Sequence, residues 1–212
     1  MATLKYDKRS AWASRNPVLL AGEVGIELDT LYEKIGNGID PWSKLHYFGN
    51  PGYWGEFADA SDQAASANTP TEITFNHSVA TENDGVRLEN NSRLLVEYPG
   101  IYLFSFVLHL ENDDTQIHDA HFWLRKNNSA SAGNIPLTTL AVSVLEKHGG
   151  VPGRAVASLD HTLNLAANDY IELIWAPSST EVTLKAEPAI TSPYSRPTAP
   201  SAVCNVSQIS AA

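Results

Sequence analysis

The chain has one cysteine, Cys204, and one methionine in 212 residues. A lone cysteine closes no intrachain disulfide, and the two sulfur side chains offer no redox or soft-metal chemistry. No apolar run approaches the ~20 residues that span a bilayer, and the opening MATLKYDKRSAW lacks the apolar segment of a secretory signal. The expectation is a soluble chain made in a cytoplasm, with no membrane partner. Basic residues are scarce: 14 Lys and Arg stand against 24 Asp and Glu, a net charge of −10. Phosphate backbones need clustered cations, so nucleic acid is excluded as a partner. Helical periodicity is missing too, apart from residues 10–15.

The charge is unevenly spread. Residues 1–48 carry six basic and six acidic side chains, so the whole acidic excess lies in residues 49–212. The first fifteen residues are locally basic, with Lys5, Lys8, Arg9 and Arg15 against Asp7. They read either as an arm that docks on an acidic surface or as a solvated terminus.

Residues 17–48, PVLLAGEVGIELDTLYEKIGNGIDPWSKLHYF, are the most informative stretch. Residues 23–28 alternate as a strand does, and residues 32–35 form a second short one. Gly36-Asn37-Gly38 is a tight turn, because Gly and Asn tolerate positive φ. Asp40-Pro41-Trp42 is another. Such a β module is too small for a core of its own. It gains stability by packing on copies of itself or on a host surface, which points to assembly and away from chemistry.

Residues 49–70 are rich in Gly, Ala, Ser, Asn and Pro and read as a connector. From residue 71 onward short strands alternate with turn signals. They are expected at 72–76, 93–98, 101–110, 118–126, 136–145, 156–165, 170–175, 181–185 and 203–209. Residues 101–110 give the clearest pattern. Tyr102, Phe104, Phe106, Leu108 and Leu110 line one face, and Ile101, Leu103 and Val107 make the other partly apolar. A strand apolar on both faces lies inside a sandwich and is covered outside as well. The fold class is therefore all-β: a small N-terminal β module (1–48), a connector (49–70) and an antiparallel jelly-roll sandwich (71–212).

The candidates for chemistry are weak. His118 and His121 fall on opposite sides of a strand, so they do not converge on one metal ion. Glu111, Asp113 and Asp114 form an oxygen-rich loop without EF-hand spacing, and a solvated loop tip is the better reading than a Ca²⁺ site. No Gly-x-Ser-x-Gly elbow occurs, and Cys204 reads as a small core residue. No catalytic residue, metal ligand or cofactor is expected, and the chain is not read as an enzyme.

Residues 11–49 resemble the N-terminal module of bacteriophage tail-fibre and major-tropism-determinant proteins. The resemblance rests on Trp12, Asn16, Pro17, Gly22, Glu23, Gly25, Glu27, Asp29, Thr30, Lys34, Ile35, Gly36, Gly38, Trp42, Leu45 and Tyr47. Tyr32-Glu33 departs from it, standing where that family commonly has a tight Gly-containing hairpin. Residues 71–209 resemble the jelly roll of phage virion proteins, similar in pattern to tumour-necrosis-factor and complement globular-head domains. Here the matching parts are Pro99-Gly100-Ile101-Tyr102, Phe122 through Asn127, and Ala167 through Leu173.

The resemblance implies a homotrimer on a phage particle. It makes Trp12, Asn16, Pro17, Gly25, Asp29, Lys34, Gly36 and Trp42 candidate attachment residues, and Tyr102, Phe104 and Phe106 candidate trimer contacts. With only a short connector and no long shaft, a capsid decoration (cement) protein on the virion surface is expected. Its partners would be its own copies and the major capsid protein. The alternative is a short trimeric receptor-binding tail protein whose partner is a host surface receptor.

Overall fold

The computed structural model describes residues 4–48, 52–79, 83–127 and 130–211. The chain forms two compact units: one comprises residues up to Gly52 together with 208–212, the other Tyr53 to Ser207. The boundary expected at Gly49 lies outside the described residues.

The smaller unit begins with β1 (Leu4–Asp7), then α1 (Arg9–Arg15), β2 (Val24–Glu27) and β3 (Glu33–Ile35). β1 runs parallel to β2, and β3 runs antiparallel to β2. The helix supplies the crossover that a parallel pair requires. Residues 4–15, expected as a polar arm, are thus an edge strand and a helix. Leu4 and Tyr6 alternate with Lys5 and Asp7 over too few residues to stand out from a polar terminus. The helix ends at Asn16, which takes a left-handed φ of 41° and donates its N–H to Trp12 O, as helix C-termini commonly do. The expected turn at residues 36–40 is an Asx turn: Asn37 Oδ1 accepts N–H bonds from Ile39 and Asp40.

The larger unit is a two-sheet sandwich. Its elements are β4 (Trp54–Asp59), β5 (Thr71–Glu72), β6 (His77–Ser78), β7 (Val86–Glu89), β8 (Arg93–Val96), β9 (Gly100–Asn112), β10 (His118–Lys126), β11 (Leu140–Val144), β12 (Gly153–Leu165), β13 (Tyr170–Pro177), β14 (Val182–Leu184) and β15 (Ala202–Ala211). One sheet has the order β12-β9-β15-β4-β6, with β14 also on β9. The other has the order β11-β10-β13-β8-β7, with β5 on β13. In both sheets the strands pair antiparallel, as β9 does with β12 and β10 with β13. Between the sheets lies an apolar core with Phe57, Phe75, Tyr102, Phe104, Phe122 and Trp175 at or near zero exposure.

Several expected strands match, but residues 54–59 do not. Read as connector from their Gly and Ala content, they form β4, paired along its length with β15. Tertiary pairing overrides weak strand propensity there. The strand expected at 72–76 is only β5, and the one at 136–145 begins at Leu140, because Leu137 turns with φ 64°. β6 and β7 were not anticipated.

The β9–β12 pairing extends over thirteen residues from Gly153↔Asn112 to Leu165↔Gly100. At its end Asn112, fully buried, donates through Nδ2 to Gln116 O, Val144 O and Leu145 O at 2.8, 3.2 and 3.1 Å. Asn112→Leu removes the donor that these three carbonyls share. Urea denaturation should show the larger unit destabilised by about 3 kcal/mol.

Candidate assembly surface of the N-terminal module

The three-stranded sheet of the smaller unit has two unlike faces. Strand alternation places Lys5, Asp7, Gly25, Glu27 and Lys34 on one, and Leu4, Tyr6, Val24, Ile26, Glu33 and Ile35 on the other. The first face is covered by the module itself. Trp12 and Trp42 stack there with ring centroids 4.2 Å apart, and with Leu19 and Leu45 they form a buried cluster.

The expected attachment residues build this covered side. Trp12 Nε1 donates to Ile26 O at 2.9 Å, which ties the helix to the sheet. Gly25 leaves room for Trp42: a Cβ there would lie 2.5 Å from the indole. Gly36 allows a backbone approach, since a Cβ would lie 2.3 Å from Leu20 O. Asn16 Oδ1 accepts the Ser43 N–H, Asp29 Oδ1 accepts the Arg9 N–H, and Pro17 O accepts the Trp42 N–H. These eight residues are brought together in one module, where they hold helix, sheet and loops to one another.

Charge is concentrated on the covered side. Glu27 has zero exposure and accepts hydrogen bonds from Thr30 Oγ1 and Tyr47 Oη at 2.7 and 2.6 Å. Lys34, 5% exposed, donates through Nζ to Trp42 O at 3.0 Å and sits 4.2 Å from the Tyr47 ring centroid. Burial pulls its pKa down from 10.5 to about 8, against the attraction of Glu27 and with some help from Arg9. Glu23 pairs with Lys5 at 2.9 Å, and the Lys5 hydrogen bond holds its carboxyl below the ordinary range.

The open face is the reverse. Leu4, Tyr6 and Ile35 are exposed, and Val24 and Ile26 are half-buried. Leu28 continues β2 on this face by alternation, its N–H bonded to Asp7 O, and it too is exposed. Beyond β3, the Lys34↔Tyr47 bridge and the Phe48 N–H to Glu33 O bond add a further segment, and alternation brings Phe48 onto the same face at 65% exposure. An ordinary half-exposed sheet turns its apolar side inward and its polar side to water. Here the buried charges Glu27 and Lys34 are inside, and several large apolar side chains, with Glu33 among them, are outside. Sequence reasoning missed this surface, although the alternation Leu4-Lys5-Tyr6-Asp7 carried part of its signal.

The aromatic residues expected as trimer contacts lie elsewhere. Tyr102, Phe104 and Phe106 have zero exposure within a single chain and face the sandwich interior. They are core residues, and burial pushes the Tyr102 hydroxyl pKa up. The outward side of β9 carries Ile101, Leu103, Ser105, Val107 and His109, with Val107 38% exposed. Even-numbered positions point inward because the apolar side of so regular a strand is the one that the second sheet covers.

His118 and His121 point to opposite sides of β10. His118 Nε2 lies 2.7 Å from Asp114 Oδ2, and that hydrogen bond holds the Asp114 carboxyl low. Among the described residues no group of three or more His, Cys, Asp or Glu is placed to hold a metal ion. A cavity of about 230 Å³ in the larger unit is lined by His109, Glu111, Arg154, Val156, Lys185 and Glu187 among others. Its cations are already paired: Arg154 with Glu111 and Glu187, Lys185 with Asp62.

No protein-family model matches the sequence, and no curated protein does. The fold does match solved structures. The chain is similar to the Eiger TNF of S. frugiperda at 14% identity and a TM-score of 0.52, over 76% of this chain and 94% of that one. It is also similar to the globular domain of zebrafish complement 1qA protein at 17% identity and a TM-score of 0.44, over 74% of this chain and 96% of that one. The chain is thus an all-β protein with a small three-stranded sheet and a TNF-like jelly-roll sandwich.

The buried Lys34 makes the module's stability depend on pH. Between about 8 and 10.5 the unfolded chain holds a proton that the folded module has released. The unfolded state therefore binds more protons, and stability rises with pH through this window. Urea titrations followed by the coupled circular dichroism of the Trp12–Trp42 stack should show that rise, and Lys34→Met should flatten it.

Proposed function

We propose that the chain is a non-enzymatic structural protein of a phage virion surface, a homotrimer that decorates the capsid shell through its N-terminal module. The observation that carries the self-association is the inverted sheet. Leu4, Tyr6, Val24, Ile26, Leu28, Ile35 and Phe48 form a surface that water disfavours by ~25 cal/mol per Å², while the charges that would suit water are turned inward. The module's own core of Trp12, Leu19, Trp42 and Leu45 is small, and a unit of this size gains only a few kcal/mol from such a core. Covering the open face with the same face of other copies supplies what the module lacks. TNF/C1q folds typically form homotrimers, which suits three modules meeting about one axis.

The module keeps a second exposed apolar group for the shell. Val18, Leu20 and Ile39 stand out from the paired loops around Leu19 and Gly38, at 53%, 73% and 80% exposure. Major capsid protein is the partner proposed for them. A second reading, a short receptor-binding tail protein, draws on Leu137. This residue is fully exposed at the tip of the β10–β11 loop, within residues 127–145, which carry no charge.

Sedimentation equilibrium tests the assembly. The wild-type chain should sediment as three copies. Ile35→Lys should weaken the trimer by a factor of about 100 or more, because an unpaired ammonium taken out of water costs several kcal/mol. Purified trimer added to host cells separates the two virion readings. Unimpaired phage adsorption fits decoration, and blocked adsorption fits the tail protein.

A further inference from the structure

The cavity of about 230 Å³ in the larger unit stands on the outward side of β9 and β12. The even positions of β9 face the core, so His109 and Glu111 point outward. The β9–β12 register sets Val156 beside His109 and Arg154 beside Glu111. The chain after β14 supplies the remaining wall: Lys185, then Glu187 and Ala199, which face each other across a β-bridge. His109 is clamped at three points. Its N–H donates to Ser201 O at 2.9 Å, its carbonyl accepts the Lys185 N–H at 2.8 Å, and its ring Nδ1 lies 2.7 Å from Pro200 O. A carbonyl oxygen only accepts, so Nδ1 carries the proton of the neutral ring. Nε2 is left as a lone-pair acceptor, and among the described residues nothing meets it.

The ionic groups of the cavity cancel. Arg154 pairs with Glu111 at 3.2 Å and with Glu187, Arg196 pairs with Glu187 at 2.5 Å, and Lys185 pairs with Asp62 at 2.7 Å. Three cations thus meet three carboxylates, and no net charge is left over for an ionic ligand. Hydrogen-bonding capacity does remain. Glu111 meets Arg154 through Oε2 and keeps Oε1 as an acceptor, and the Lys185 ammonium has further protons beside the one facing Asp62. Next to these groups lies an apolar floor of Val156, 63% exposed, with Ala155 and Ala199.

We propose that this cavity binds a neutral sugar ring. A hydroxyl both donates and accepts, so one ring gives protons to His109 Nε2 and the Glu111 carboxylate, receives one from Lys185 Nζ, and rests its C–H face on Val156. A charged ligand would have to break an ion pair to gain a partner of its own. A purely apolar one would cover polar atoms without meeting them, which costs binding energy. The clamped His109 and the paired arginines are already in place, so little side-chain freedom is lost on binding. The volume lies below the ~300 Å³ at which pockets for larger small molecules begin, which limits the occupant to one ring, with any further sugars outside. The site belongs to the larger unit alone and stands whether or not copies join through the module.

The test titrates the full chain with the methyl glycosides of glucose, galactose and mannose and with glucuronate. Saturation-transfer NMR reads binding, and long-range proton–nitrogen correlation reads the histidine rings. At least one methyl glycoside should bind, in the millimolar range and more tightly than glucuronate. His109 should show its proton on Nδ1, and its Nε2 resonance should move as the glycoside is added. His109→Asn places an amide N–H where Nδ1 stood, so it keeps the bond to Pro200 O and loses only the Nε2 acceptor. It should fold as wild type does and bind about tenfold more weakly. Val156→Gln, at an exposed position, lays a longer polar chain across the apolar floor and should weaken binding to a similar degree. The proposal is overturned if none of the three glycosides shows saturation transfer, if glucuronate binds more tightly than all of them, or if His109 carries its proton on Nε2. Undiminished binding by either variant overturns it as well, and Val156→Gln decides alone if His109→Asn does not fold.

Discussion

The smaller unit depends on one constraint: its sheet buries the charged pair Glu27 and Lys34 on one face and leaves most of its apolar side chains on the other. Glu27 and Lys34 lie under the Trp12–Trp42 stack, with their polar atoms met by Thr30, Tyr47 and the Trp42 carbonyl. Every hydrogen bond on that side has to be in place, because a buried charge without partners costs more than a module of this size can supply. Gly25 and Gly36 serve this arrangement by admitting an indole and a backbone carbonyl where any side chain would collide. The outer face carries Leu4, Tyr6, Ile35 and Phe48 exposed.

The larger unit follows the opposite logic. Its sandwich encloses Tyr102, Phe104, Phe106, Phe122 and Trp175 completely within one chain. It resembles the TNF jelly roll in architecture and buries its core within one chain. The smaller unit, by contrast, has a core of only four residues, Trp12, Leu19, Trp42 and Leu45.

Much of this was legible in the sequence. Strands with strict alternation, such as β9 and β10, and turns with Gly, Asn and Pro declare themselves, so the all-β class and the jelly-roll pattern followed from residues 101–126 and their turns. β4 did not, because Trp54-Gly55-Glu56-Phe57-Ala58-Asp59 has little strand propensity and is extended only by its pairing with β15. The motif of the module was visible, but its meaning was not. The Trp, Gly and Lys positions read as attachment residues lie in the folded interior of the module. Alternation shows that Leu4 and Tyr6 share a face, but only the register with Val24, Ile26 and Ile35 shows that the face continues across three strands and lies open. In β9 the unbroken apolar run at the even positions already marked the side that the second sheet covers.

Hydroxyl-radical footprinting across a dilution series tests the central claim most directly. Tyr6 and Phe48 report on the open sheet face, and exposed Tyr194 in the larger unit serves as the internal reference. The account predicts that Tyr6 and Phe48 are protected at high protein concentration and become reactive together as the protein is diluted, while Tyr194 does not change. Equal reactivity of Tyr6 and Phe48 at all concentrations, up to those at which the protein is fully associated, would contradict it.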